Sequence, residues 1–193
     1  MSYHIEIVSD NRKIILVAGV IILIGVITLV WMGRAVWGPF EGPCLWSGDI
    51  HSQSNSQCLL DAYGLTHILH GLGFYLLLWL IGRRLSWKTR LLIAVGLEMG
   101  WEILENTDSI INRYREATLS LEYFGDSILN SISDVLAMVA GFLFARKFLW
   151  PLSLLLFITI EILLFIWIRD GLILNILLLI YPIEAIKNWQ LAK

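Results

Sequence analysis

Charge is scarce in this sequence, and so are the residues that punctuate soluble folds. Only 16% of the 193 residues are Asp, Glu, Lys or Arg, and four are proline. Soluble domains carry roughly 25% charged residues to solvate their surfaces, so an ordinary water-exposed surface is excluded. No basic tract occurs: 14 Lys and Arg face 16 Asp and Glu, for a net charge of −2. That removes the electrostatic footprint of a nucleic-acid partner. There is no phosphate-cradling glycine loop, no G-x-S-x-G elbow and no H-E-x-x-H helix, so the common nucleotide, serine-hydrolase and zinc-protease signatures are absent. Cysteine is limited to Cys44 and Cys58. Both fall in one loop, where an oxidising compartment would join them and a reducing one would leave two thiols.

What remains is overwhelmingly apolar. Hydrophobic residues make up 58% of the chain, with nine Trp, and the mean hydropathy is +0.74. The expectation is all-α: a polytopic membrane helix bundle of about six transmembrane helices plus one interfacial amphipathic helix, forming a single integral membrane domain over 1–193. The apolar stretches run from Ile14 to Met32, Gly64 to Ile81, Leu91 to Glu105, Gly125 to Leu149, Leu152 to Ile168 and Gly171 to Ile186. The last is interrupted by "YPIEAIK". The first follows Arg12 and Lys13 without a small-residue cleavage site after it, and reads as an uncleaved anchor.

Cationic residues test that count, because short loops retain them on the cytoplasmic side. Six crossings put Arg12, Lys13, Arg83, Arg84, Lys88, Arg90, Arg146, Lys147, Lys187 and Lys193 on one side, against Arg34, Arg113, Arg115 and Arg169 on the other. Both termini are then expected in the cytoplasm. On the opposite side, the Gly33 to Tyr63 loop is rich in Gly, Pro, Ser and Asn and should form a turn-rich cap or lid. From Thr107 to Phe124, apolar residues recur at helical spacing, as in a helix lying on the outer surface with Thr107 or Asp108 as its N-cap.

Polar residues inside the apolar stretches carry the functional signal. Glu98, Glu102 and Glu105 share a stripe about 60° wide on one helix. The stretch "GDSILNSISD" lines up Asp126, Asn130 and Asp134, and "THILHG" places His67 and His70 three residues apart. All three sets converge on the outer half of the bundle. An ionised carboxylate at mid-membrane costs several kcal/mol unless it is paired, neutralised or ligated. Imidazole with carboxylate suits a divalent transition metal, which assigns His67, His70, Glu102, Asp126 and Asp134 as candidate ligands. Glu98, Glu102 and Asp134 are the candidate catalytic groups. Arg113, Arg115 and Asn130 are candidate substrate contacts, the arginines as bidentate clamps on a lipid phosphate. The bland alternatives are hydrogen-bonded helix histidines, Asp126 as an N-cap, and internal ion pairs such as His70 with Asp134 or Arg113 with Glu105.

The segments "LWSGDIHSQSNSQ", "THILHGLGFY", "EMGWEILENTDSIINRYREAT", "GDSILNSISDVLAM", "IRDGLILN" and "YPIEAIKNWQ" together resemble an uncharacterised family of small bacterial multi-pass inner-membrane proteins, a domain of unknown function. The resemblance covers nearly the whole chain after the first helix. It implies a bacterial plasma membrane location and supplies no activity. In that family's pattern the first outer loop carries a closely spaced cysteine pair and a histidine follows "NSQ"; here the loop reads "GPFEGPC" and Cys58 follows Gln57. The order of a histidine helix, an E-x-x-W-E-like helix and a descending acidic helix also looks distantly like the VanZ-like membrane proteins.

Three functions fit these residues. One is a metal-assisted hydrolase or transferase acting on a lipid or lipid-linked substrate at the outer leaflet. Another is a proton- or ion-coupled transporter or lipid-binding protein using the same acids. The third is an assembly factor in which the acids are structural. Membrane lipids are the expected partners in each case.

Overall fold

A computed structural model describes residues 10–38 and 44–192. Lys193 and residues 39–43 of the first outer loop lie outside the described residues. Among those described, helix dominates: α1 (Asn11–Trp31), α2 (Gly64–Ile81), α3 (Trp87–Glu105), α4 (Asp108–Ala117), α5 (Ile128–Lys147), α6 (Trp150–Ile168), α7 (Leu172–Ile180) and α8 (Glu184–Leu191). A two-residue parallel pair, β1 (Trp46–Ser47) with β2 (Leu60–Asp61), closes the loop between α1 and α2. The fold is therefore the all-α class read from composition.

Helix starts follow local chemistry. Ser86 Oγ accepts the Thr89 N–H ahead of α3, and Ser127 Oγ accepts the Asn130 N–H ahead of α5. Each satisfies one of the four orphan donors of a first turn. The third helix thus begins four residues before the apolar run does. The fifth begins at Ile128 rather than Gly125, which leaves Asp126 outside it. The surface helix expected to reach Phe124 stops at Ala117, because Thr118 turns extended while its Oγ1 and N–H both bond to the Tyr114 carbonyl.

Four helices, α1, α2, α5 and α6, are long and apolar enough to cross a membrane. α3 has the length, with 19 residues, but its glutamates dilute it. The last apolar stretch breaks between Tyr181 and Ile183 into α7 and α8, since Pro182 has no N–H with which to continue a helix. Nine residues of α7 rise only about 13 Å, under half of a bilayer core. The expected count of about six crossings is corrected accordingly.

The break also corrects the placement of the ends. The Gly82–Ser86 and Phe148–Leu149 links make α2, α3, α5 and α6 alternate in direction through turns of five and two residues. α1 finishes where α5 starts, with the Ala35 carbonyl accepting the Ile128 N–H. α8 folds back at that same end: Arg169 donates to the Trp189 and Ala192 carbonyls, and Lys187 to those of Arg115 and Glu116. The first turn of α1 and the whole of α8 therefore lie at opposite ends of the bundle, not on one side.

α2 and α5 run parallel and touch backbone to backbone. A Cβ on Gly71 would collide with the Met138 carbonyl, and one on Gly141 with that of Ile68. Small residues allow such an approach, and dispersion over the close contact holds the pair. Around this crossing Leu29, Leu78, Val95, Met138 and Phe142 form a dry core between α1, α2, α3 and α5. α1 and α6 leave Ile15, Leu16, Ile24, Leu155 and Ile166 exposed along their outer faces. Apolar surface on that scale is what a bilayer covers.

Candidate functional site

One helical turn before Gly71, α2 turns its polar residues inward. His67 is buried between α3 and α5: its Nδ1 lies 2.6 Å from Glu98 Oε1 and 3.5 Å from Glu102 Oε1, and its Nε2 3.8 Å from Asp134 Oδ2. His70, one turn on, puts Nδ1 3.0 Å from the same Glu98 oxygen. The rings of His67 and His70 meet edge to face. Two groups result in which ligand atoms lie within 4.8 Å of one another: His67, His70 and Glu98, and His67, Glu102 and Glu105. Histidines three apart and glutamates three and four apart fall on facing stripes of two helices, which is the arrangement that bundle metal sites use.

Glu102 has no solvent exposure, and both of its carboxylate oxygens are buried without a hydrogen-bond partner. Asp134 is buried beside it. A neutral imidazole with one or two carboxylates is a nitrogen-and-oxygen donor set suited to Zn, Fe or Mn. The residues present therefore fit a divalent transition metal, with Glu98 joining the ligand set expected from sequence.

Above this cluster lies a cavity of ≈ 50 Å³, walled by residues from the first outer loop, α2, α3, α4, α5 and α7. Its floor is His67, His70 and Asp134. Asn130 reaches it from α5, donating to Asp61 Oδ2 at 3.4 Å. Asp61 is the hinge of the loop side: its two oxygens accept the N–H groups of Gly64, at the start of α2, and of Ser56, a residue held at φ 59°. Burial raises the Asp61 carboxyl above its ordinary value, opposed mainly by the Gly64 N–H. The loop is stapled by a Cys44–Cys58 disulfide and tied to the start of α5, where the Ser127 N–H reaches the Ser56 carbonyl and Gln57 reaches that of Gly125.

Asp126 is not an N-cap. Its Oδ2 accepts from Asn106 Nδ2 at 3.1 Å and from the Tyr123 hydroxyl at 3.0 Å, while its own N–H donates to Asn106 Oδ1. Burial pushes its pKa up to about 7. It lines the cavity but stands apart from the two histidine groups. Arg113 and Arg115 face elsewhere. Arg113 donates to the Leu179 and Ile180 carbonyls at the end of α7, and Arg115 to the Tyr123 carbonyl. Neither arginine lines the cavity, and the expected pair of Arg113 with Glu105 does not form.

Sequence reading missed Asn55, Asp61, Tyr63, Tyr114 and Tyr123 in the wall, while Asn175, which it offered as an extension of the polar pocket, does line it. Asp61 carried a signal, an acid three residues before a helix start. The others are scattered over the loop, α4 and its following turn, and share no spacing.

The stretch holding all of these residues is also the stretch with known relatives. Residues 29–192 match a family described as "Protein of unknown function (DUF2585)". The chain belongs to the DUF2585 family. It is 46% identical over 172 residues to a "UPF0314 protein" of Paracoccus denitrificans, covering 89% of each chain. Against the "UPF0314 protein" of Sphingopyxis alaskensis it is 46% identical over 176 residues, 91% of this chain and 93% of that one. A relative from Sinorhizobium fredii, "UPF0314 protein NGR_c32320", is 44% identical over 187 residues, 94% and 95% of the two chains. No solved structure matches.

Proposed function

We propose that this family member resides in the bacterial plasma membrane, and that its histidine–carboxylate cluster holds a divalent transition metal for a hydrolase or transferase acting on a lipid or lipid-linked substrate at the outer face. The observation that carries the reading is Glu102: a fully buried carboxylate with two orphan oxygens, beside His67 and within one ligand group with it and Glu105. Such a group costs several kcal/mol unless protonated or ligated. A cation removes that cost.

Orientation follows from the charges. Arg12, Lys13, Arg83, Arg84, Lys88, Arg90, Arg146 and Lys147 flank the end of the bundle away from the cavity, which favours that end as cytoplasmic. The disulfide at the cavity end suits an oxidising compartment. In this reading His67, His70, Glu98 and Glu102 would hold the metal, which would supply Lewis acidity and lower the pKa of a bound water. Asp134 takes the proton from the attacking group, and Asn130 orients the substrate. Below the cluster, Val95, Met99, Val135 and Met138 pack a dry core, which weighs against a proton or ion path through the bundle.

Elemental analysis of purified protein tests the reading. The expected result is a stoichiometric transition metal in the wild type, lost from His67→Ala and reduced at least tenfold in occupancy in Glu102→Gln at matched folding. The same two variants should fail to restore the lipid profile of a deletion strain. A wild type that takes up no metal on reconstitution would overturn the reading and turn attention to flux measurements in liposomes.

A further inference from the structure

The chemistry of the cavity wall narrows what can enter it. None of the described residues lining it is Lys or Arg. The three nearby arginines, Arg34, Arg113 and Arg115, donate instead to the carbonyls of Phe124, of Leu179 and Ile180, and of Tyr123. Carboxylates enter the wall from three directions, as Asp61 from the loop, Glu105 from α3, and Asp126 and Asp134 from the α5 side. An anionic headgroup would find carboxyl groups on three sides and no Lys or Arg partner in the wall.

A second observation is independent of that acidity. Asn55 lines the cavity, is buried, and its Oδ1 has no partner; Glu102, the buried neighbour of His67, has two orphan oxygens. All three orphans are acceptors. A ligand that satisfies them is therefore a donor or a cation. The same wall carries the rings of Tyr63, Tyr114, Tyr123 and Trp101. The tyrosine hydroxyls are engaged with Asp170, Asn175 and Asp126. Aromatic faces beside carboxylates are the surroundings that attract an ammonium group.

One part of the wall is apolar and leads to the surface. Trp101 of α3 and Leu172 and Ile176 of α7 line the cavity, and Ile176 continues into the exposed aliphatics Ile173, Leu177 and Ile180 of the same helix. α7 is held in this position by Arg113 at its C-terminal carbonyls and by Glu161, whose Oε1 accepts the Leu172 N–H at 2.8 Å. An alkyl chain leaving the cavity along α7 would pass directly to hydrocarbon.

We infer that the cavity takes an amphiphile with an ammonium headgroup, its nitrogen among Asn55, Asp61 and Asp134 and its chain along Trp101, Leu172 and Ile176. The inference rests on the cavity being the substrate site of the proposed function, and it names the substrate class as cationic rather than phosphate-bearing. Four soluble probes test it by calorimetry on the full chain in nanodiscs: hexylammonium, hexyl phosphate, hexyl glucoside and methylammonium. Hexylammonium is expected to bind at least tenfold more tightly than each of the other three, and Ile176→Ser to lose at least threefold for it while leaving methylammonium unchanged. Hexyl phosphate or hexyl glucoside binding as tightly as hexylammonium would overturn the inference. Methylammonium binding as tightly as hexylammonium would overturn its amphiphile half and leave a small free amine as the ligand source. Metal content measured on the same samples, before and after chelation, reports on the metal reading separately. The wild-type ranking of probes needs no variant to fold.

Discussion

At the crossing of α2 and α5, Gly71 and Gly141 bring two backbones into contact over a dry core; one to three turns nearer their N-termini, the same helices present His67, Asn130 and Asp134 to a polar cavity. The two regions are built from the same pair of helices and held by opposite means. The dry half relies on close packing, where dispersion and apolar burial are non-directional and every added atom must displace something. The polar half relies on a disulfide, on side chains reaching backbone groups, and on Asp61 joining loop to helix. It also leaves acceptors unsatisfied at its centre, which packed interiors avoid. A region that keeps that cost among several buried carboxyls is organised around something other than stability.

The largest separation of the two halves should come from the disulfide. Replacing Cys58 with Ala opens a 14-residue loop and is expected to lower unfolding stability by ~3 kcal/mol. In hydrogen exchange the gain should be confined to the loop, Asp61 and the first turn of α2. Uniform loss of protection, reaching the glycine crossing, would show that the halves do not open independently.

Gly71→Ala attacks the other half. Its Cβ meets the Met138 carbonyl, a backbone atom that yields only if α5 shifts, so a cost of about 1–3 kcal/mol is expected, with metal content unchanged. Loss of metal at full occupancy of the fold would mean that the crossing sets the cluster's geometry.

A smaller effect concerns pH. Asp170, between α6 and α7, is buried beside Tyr63, and burial raises its pKa to about 6. A carboxyl raised in the folded state stabilises most fully below about pH 4, and that contribution declines as pH rises through about 6. Asp126, raised to about 7, extends the decline. Asp170→Asn should flatten the lower part of this slope in denaturation measured from pH 4 to 8. An unchanged slope would mean that Asp170 titrates normally and the polar half is wetter than its geometry implies.

Smallest of all is the anchoring of α7. Arg113→Ala removes two hydrogen bonds to the Leu179 and Ile180 carbonyls and should cost about 1 kcal/mol, with faster exchange in α7 alone. Slowed rather than faster exchange in α7 would show that Arg113 strains the helix instead of holding it.

Much of the apolar architecture was legible residue by residue. The Ile14 to Met32 and Gly64 to Ile81 runs became α1 and α2 nearly unchanged, because a long uninterrupted apolar helix has one way to satisfy its backbone. The break at Pro182 was visible as an interruption, yet its consequence, α8 returning to Arg169 and Glu116, depends on partners far away in sequence. The cluster was legible in part: helical spacing put His67 with His70 and Glu98 with Glu102 on shared faces, but His70 faces Glu98 rather than Asp134. Arg113 and Arg115, expected as clamps because they stand near a cluster of acids, donate to carbonyls at the end of α7 and at Tyr123. Nothing local in the sequence announces a carbonyl that lacks a partner.

By itself, then, the sequence determined the class of fold, the apolar helices and the residue types that carry chemistry, since hydropathy and helical period are properties of neighbouring residues. Tertiary structure alone decided that Asn55, Asp61, Tyr114 and Tyr123 share one wall, that Cys44 meets Cys58, and that Glu102 is left with two empty acceptors. Those outcomes depend on which surfaces come to face one another, and that is fixed only when the helices pack.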